Sequence, residues 1–254
     1  MGRRVAVVDS HHNAGEAARR VNERGGVMEF DEVVLGRRSI RGYKPDPVPK
    51  DVIREVVALA TRAPSSMNTQ PWHLHVVTGD ALDRIRQGNT ERNLAGVPAS
   101  REIRMHGPYE GVHRQRQKAI AAQLFEAMDI EWADKVRRKD WVMRGFRQFD
   151  APVSVVVTFD ADLTDNDIAI FDCGAVVNCL VNAAWSRGLG CVINGQGIMQ
   201  SPVVREHARI PDNEVIMSCV AMGYPADGFA ANDVISTRRP VDDVVSFVGY
   251  GDNP

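Results

Sequence analysis

The stretch VSVVVTFDADLTDNDIAIFDCGAVVNCLVNAAWSRGLGCVI, residues 153–193, carries the strongest secondary-structure signals of the 254-residue chain. Its β-branched run Val153–Phe159 predicts a strand. In Ile168–Arg187, apolar side chains that include Phe171 occupy nearly every side of a helical period, which predicts a central, buried helix. Gly190–Ile193 predicts a short strand ahead of a glycine-containing loop. This order of elements places one helix and a sheet at the core.

Helices and strands alternate through the rest of the chain from Glu29 onward. Helices are predicted over Phe30–Gly36, 53–60, Asp80–Arg86, Val112–Met128, Glu131–Gln148 and Pro202–Ala208, and strands over Trp72–Thr78 and Val215–Met222. Helices outnumber the strands, so we expect an α+β fold with a mixed central sheet flanked by helices. Turn formers between Gly88 and Val112 predict a long loop, and such loops are usually lids or binding loops.

The predicted domain organisation is a polar N-terminal extension, residues 1–27, followed by a single domain, residues 28–254. Within the domain, Arg84–Asp150 contains 14 Lys+Arg against 9 Asp+Glu, although the whole chain has a formal net charge of −2. We interpret this basic segment as a lid insert whose aromatic side chains cover a flat substrate. The alternative is that these aromatic residues anchor two helices to the core.

Composition excludes several classes of function. A net charge of −2 is too small for a protein whose main partner is a nucleic acid or an anionic membrane. We find no run of about 18 apolar residues, so no membrane span is expected. The four cysteines form no C-x-x-C pair, which favours free, buried thiols and a cytoplasmic location. His73 and His75 have no carboxylate nearby in sequence, so no metal site is expected.

Arg37-Arg38-Ser39-Ile40-Arg41 leaves a helix and enters an extended segment. Arginines spaced along an extended backbone can converge on one phosphate, because each guanidinium is a planar fork of donors. Ser39 adds a hydroxyl. Taken alone, however, a basic run of this kind is more often a solvated face.

Two further segments offer neutral polar groups. In Ala63-Pro64-Ser65-Ser66-Met67-Asn68-Thr69-Gln70-Pro71-Trp72, prolines bracket small side chains that suit a planar heterocycle, although an ordinary capped turn has the same composition. The loop after Gly190–Ile193 contributes the amides of Asn194 and Gln196, and Gly195 allows close backbone approach. Because residue 193 is Ile, the glycines here do not have the G-x-G-x-x-G spacing of a Rossmann dinucleotide site.

The last motif is Ser236-Thr237-Arg238-Arg239-Pro240, which offers another arginine for a phosphate or else a surface pair. The sequence shows no nucleophile elbow and no paired carboxylates. Phosphate ligands and amides without a nucleophile indicate an enzyme whose chemistry belongs to a bound cofactor.

These motifs, in this order, make the chain resemble the FMN-dependent nitroreductases, and the long lid resembles that of nitrobenzoate-type members. The resemblance implies an intertwined homodimer with FMN at the subunit interface, chemistry at flavin N5 and no catalytic protein residue. It assigns the phosphate, ribityl and pyrimidine side of one flavin to Arg37, Arg38, Ser39, Arg41 and Arg238. The partner chain would contribute Pro64, Ser65, Ser66, Asn68 and Gln70, and the ring would be approached by Asn194, Gly195 and Gln196.

The activity implied is reduction of nitroaromatic compounds, and of quinones, with NADPH or NADH in a ping-pong cycle. Two alternatives stay open: a flavin-dependent reductive dehalogenase or enone reductase, and a flavin-binding protein with little turnover. Glu102 and Tyr109 lie seven positions apart, whereas the deiodinase branch has a lid Glu and Tyr four apart. Ser236 stands where many members have a second basic residue, so Arg239 is the expected substitute.

Overall fold

The computed structural model describes residues 28–103 and 107–250, and the predicted extension at residues 1–27 lies outside them. Helices α1 to α7 span Phe30–Gly36, Lys50–Ala60, Gly79–Leu94, Gly111–Ala127, Lys135–Phe146, Asp167–Trp185 and Ser201–Ala208. Strands β1 to β4 span Trp72–Thr78, Val153–Asp160, Gly190–Ile193 and Glu214–Gly223. The predicted α+β class is confirmed.

The four strands form one sheet in the order β1-β2-β4-β3, with antiparallel pairing throughout. β2, the strand that the β-branched run predicts, is central, and every residue of it except Asp160 is buried. Within the described ranges, the parallel part of the expected mixed sheet is limited to one bridge between Ser39 and Cys191. This bridge attaches the arginine motif to the β3 edge of the sheet.

Helix α6 is the central helix that the sequence predicts, and it packs on the sheet and on α2. By length and composition it is apolar enough to cross a membrane, contrary to the expectation of no such segment, although more than half of its apolar window is buried. The expected all-round burial is wrong at its N-terminal end, where Ile168 and Phe171 are exposed. These residues are exposed because the sheet and α2 cover only part of the circumference of α6.

The prediction of a short helix followed by a loop from Gly88 is also wrong, because α3 continues to Leu94. An added Cβ at Gly88 would lie 2.7 Å from Cγ1 of Val203, so this glycine permits close packing of α3 on α7. The next residue, Asn89, is buried, and its Nδ2 donates to the carbonyls of Phe146 and Gln196. Gly88 and Asn89, which are residue types common in turns, therefore stabilise the packing of α3 against the rest of the domain.

Candidate cofactor and substrate site

The arginine motif is fixed to strand β3 by its backbone. Ile40 N donates to Cys191 O at 3.0 Å, and the Ile40 side chain is buried. An added Cβ at Gly190 would lie 2.5 Å from Cγ1 of Ile40, so only glycine allows this approach. Sheet pairing thus sets the direction of the whole extended segment.

A buried carboxamide, Asn232, fixes the same segment from the other side. Its Oδ1 accepts from the backbone N–H groups of Arg41 at 2.8 Å and Gly42 at 3.0 Å. Its Nδ2 donates to Gly42 O at 2.8 Å. The sequence analysis missed this residue, because an asparagine in a short 3₁₀ turn over Ala230–Asn232 looks like any other turn asparagine.

Arg38 is engaged within its own chain. Its Nε donates to Asn232 O at 2.6 Å, and its Nη2 lies 3.5 Å from Asp233 Oδ1. The guanidinium also lies over the Trp185 ring, 5.8 Å from the centroid. Two of its five N–H donors therefore help to hold the motif in place.

Arg37 and Arg238, from opposite ends of the described chain, lie near enough for their charges to interact. Burial lowers the pKa of the Arg37 guanidinium, and the positive charge of nearby Arg238 lowers it further. Nη1 of Arg238 donates to the carbonyl and the hydroxyl oxygen of Ser236 at 3.0 and 2.8 Å. Arg239 donates instead to Asp243 O. Two cations that repel one another favour an anion between them.

A cavity of about 390 Å³ lies beside this segment. It is lined by Arg41, Arg101, Leu124, Trp141, Val142, Phe149, Val192, Ile193, Asn194, Gly195 and Gln196. Arg41 is half-buried there, and burial lowers the pKa of its guanidinium. The cavity thus combines apolar and aromatic walls with positive charge, which suits a flat, electron-accepting ring.

The loop 194–197 is attached to helix α5 by its amide side chains. Asn194 Nδ2 donates to Gly145 O at 2.7 Å, and Asn194 Oδ1 accepts from Gln196 N at 3.1 Å. Gln196 Nε2 donates to Val142 O at 3.2 Å. Asn194, Gly195 and Gln196 line the cavity, and the two amide side chains also hold the loop against α5.

The Pro64–Gln70 segment is predominantly exposed and lies outside the described lining of that cavity. Ser66 N donates to Oδ2 of the buried Asp172 at 3.0 Å, and Gln70 N donates to Ser65 Oγ at 3.0 Å. Met67, Asn68 and Gln70 adopt positive φ angles of 49°, 60° and 48°. The described chain therefore displays these residues outward in a strained, well-anchored turn.

His73 and His75 have carboxylate partners that their sequence neighbours do not reveal. His73 Nε2 lies 2.9 Å from Asp160 Oδ1, and His75 Nε2 lies 2.6 Å from Glu214 Oε2. Thr158 donates to the same Glu214 oxygen. Across the described ranges no group of three or more His, Cys, Asp or Glu side chains is arranged to hold a metal ion.

Residues 34–224, most of the chain, match the model of the Nitroreductase family. The chain belongs to this family. The resemblance stated from its sequence motifs is thereby confirmed. Nitroreductase relatives include a chloronitrobenzene nitroreductase from Comamonas testosteroni, 30% identical over 227 residues, or 86% of this chain and 96% of that protein.

Another relative, a 4-nitrobenzoate reductase from Nocardioides sp., is 31% identical over 239 residues, covering 89% of this chain and 93% of that protein. Among solved structures, the FMN-dependent nitroreductase NfnB from Mycobacterium smegmatis in complex with NADPH superimposes with a TM-score of 0.78. It is 24% identical and covers 92% of this chain and 99% of that chain. This likeness confirms the nitroreductase-like fold.

Proposed function

We propose that this nitroreductase-family chain is an FMN-dependent oxidoreductase that reduces nitroaromatic compounds with NADPH or NADH. Quinones are included as further acceptors. The observation that carries the proposal is that the extended segment with Arg37 also places Arg41 at an aromatic-walled cavity, while Arg238 lies near enough for its charge to act on Arg37. A phosphate-bearing cofactor with a flat ring needs both features.

The residues present fit FMN. Arg37, Ser39 and Arg238 would hold the phosphate, and the backbone of Asn194–Gln196 would lie against the ring. When bound, FMN would supply the hydride-transfer chemistry between NAD(P)H and the acceptor in a ping-pong cycle. Arg41 would place its positive charge beside the bound ring. We propose that Arg38 also positions the motif, since two of its five donors are engaged by Asn232 and Asp233.

We propose further that the chain acts in the cytoplasm as an intertwined homodimer with FMN at the interface. Large apolar side chains are exposed on α1, on α6, in the Pro64–Gln70 segment and along the C-terminal tail. In the dimer Pro64, Ser65, Ser66, Asn68 and Gln70 would reach the partner's flavin. Residues 28–254 form one domain with a lid insert over about 84–150, and residues 1–27 precede it.

Anaerobic mixing tests the proposed activity. The purified protein is expected to be yellow, with about one FMN per chain. NADPH should bleach the flavin absorbance, and nitrobenzene or a quinone added next should restore it. A colourless protein, bound FAD, or a reduced flavin that no nitroarene reoxidises would contradict the proposal.

Arg37→Ala tests the assignment of the phosphate ligands. Losing a charge-assisted hydrogen bond worth roughly 1.5–3 kcal/mol should raise the Kd for FMN at least about tenfold. The Kd is measured by fluorescence titration of apoprotein with FMN. Arg54→Ala, at an exposed position of α2, is the matched control and should leave the Kd unchanged. Equal Kd values for both variants would show that Arg37 lies on a solvated face.

A further inference from the structure

We infer that Arg101 forms a subsite for an anionic substituent, which makes carboxylate-bearing nitroaromatic compounds the preferred substrates of this cavity. The inference rests on the proposed function and names its substrate class. No sequence motif points to Arg101, because the segment between α3 and α4 has no recognisable binding pattern.

Arg101 is placed at the cavity beside the loop that follows β3. An added Cβ at Gly195 would lie 3.5 Å from Arg101 Nη2, so the guanidinium rests against the backbone of this loop. The Nε atom of Arg101 is buried and has no hydrogen-bond partner within the described part of the chain. A buried donor without a partner is costly, and a bound acceptor would remove this cost.

The charge balance of the cavity also favours an anion. Arg41 and Arg101 are the charged side chains of its described lining, and neither a carboxylate nor a histidine is among these lining residues. Positive charge that is partly removed from water attracts an anion more strongly than an exposed arginine does. With Arg41 assigned to the cofactor, the charge of Arg101 is left for the substrate.

The segment that carries Arg101 is held rigidly. Ser100 N donates to Met199 O at 2.9 Å. The adjacent Glu102 binds Arg205 at 2.7 Å through one carboxylate oxygen, which also accepts from Ile216 N at 2.6 Å. Because its neighbours on both sides are anchored to the body of the domain, Arg101 is positioned before any ligand binds.

The other side chains that line the cavity fit the ring of the proposed ligand. Trp141 and Phe149 supply aromatic surface for a flat ring, and Leu124 adds an aliphatic contact. A guanidinium can donate two parallel hydrogen bonds to a carboxylate, whereas a nitro group or an amide is a weaker, uncharged acceptor. A substituted benzoate satisfies both the walls and the arginine.

Binding of a substrate analogue that cannot be reduced gives a first test. Calorimetric titration compares benzoate with benzamide, which has nearly the same shape without the charge, on the purified wild-type protein. Arg101→Gln should weaken benzoate binding at least about tenfold and change benzamide binding by less than about twofold. Arg101→Lys should restore part of the benzoate affinity. Arg116→Gln, at an exposed position of α4, controls for the lost charge.

Turnover gives a second test. In Arg101→Gln the ratio of kcat/KM for 4-nitrobenzoate to kcat/KM for nitrobenzene should fall at least about tenfold. An unchanged ratio with equal loss of benzoate and benzamide binding would reduce Arg101 to a structural role. A raised Kd for FMN, or slower flavin reduction by NADPH but not by NADH, would assign Arg101 to the cofactor or to the nucleotide phosphate and overturn the inference.

The two proposals fail in different ways. If the wild-type protein binds benzoate through Arg101 but reduces no nitroarene, the anion subsite stands and the proposed activity fails. If the wild-type protein reduces nitrobenzene and Arg101→Gln binds benzoate as tightly as the wild type does, the proposed activity stands and the anion subsite fails.

Discussion

The side-chain carboxamide of Asn232 forms the hydrogen bonds with the backbone of Arg41 and Gly42 that a neighbouring strand would otherwise form. Asn232→Ala would leave two buried N–H donors and one carbonyl without these bonds. We therefore expect the free energy of unfolding to fall by about 2–4 kcal/mol and the Kd for FMN to rise. Urea denaturation followed by circular dichroism measures the first quantity. Asn178→Ala, at an exposed position of α6, should change it little, and equal losses would contradict the assignment.

The residues at and around the candidate site differ in whether a local sequence pattern reveals them. Arg37, Ser39 and Arg41 form a local pattern within five positions, which predicts a phosphate site, and their contacts with a cofactor stay a prediction. Asn232 and Asp172 cannot, since each acts on a backbone group more than 100 positions away, and only folding brings the two together. A lone polar residue buried by tertiary packing has no local pattern.

Side chains from strands β1, β2 and β4 form a small polar cluster around Glu214. The carboxylate of Glu214 is mostly buried. Burial alone would raise the pKa of Glu214, but hydrogen bonds from Thr158 and His75 and the nearby His73 together lower it below 4.5. Because the pKa is lower in the folded state, this group stabilises the protein above the unfolded pKa, and the contribution is lost as pH falls through the folded pKa.

The prediction is a steeper loss of Tm on acidification below about pH 4.5 than Glu214→Gln shows. Differential scanning calorimetry between pH 3 and 7 measures both. Glu206→Gln, exposed on α7, serves as the control and should follow the wild type. Parallel curves for wild type and Glu214→Gln would show that the cluster does not contribute to acid sensitivity.

In the basic segment Arg84–Asp150, the aromatic residues fit both expected roles. Phe146 is buried, Phe149 is buried and also lines the cavity, Trp141 on α5 lines the cavity, and Trp132 is exposed. Trp141→Ala should lower kcat/KM for nitrobenzene about tenfold through lost ring contact, with little effect on flavin reduction by NADPH. Stopped-flow absorbance separates the two half-reactions. Trp132→Ala is the control, and an equal fall in both half-reactions would make Trp141 part of the scaffold.

On the scale of the whole molecule, exposed apolar side chains on α1, α6 and the C-terminal tail predict a second copy of the chain. Phe171, 75% exposed on α6, is a suitable probe. Phe171→Glu should shift sedimentation from dimer to monomer and release FMN, because it places a charge in an apolar interface. Val136→Glu, at a position 79% exposed on α5, should remain dimeric. A dimeric Phe171→Glu protein would contradict this assignment of the interface.

The left-handed backbone at Met67, Asn68 and Gln70 has a consequence for hydrogen exchange. Each such residue costs of order 1–3 kcal/mol, and within one protomer the compensation includes a hydrogen bond from Ser66 to Asp172. Local opening of this turn releases that strain, so its amides should exchange with deuterium far faster than those of β2. When a partner and its cofactor cover the turn, opening would have to break those contacts as well. Slower hydrogen exchange at residues 66–70 would therefore report that a partner chain covers this turn. The rates are read on a timescale of minutes and need no attached dye.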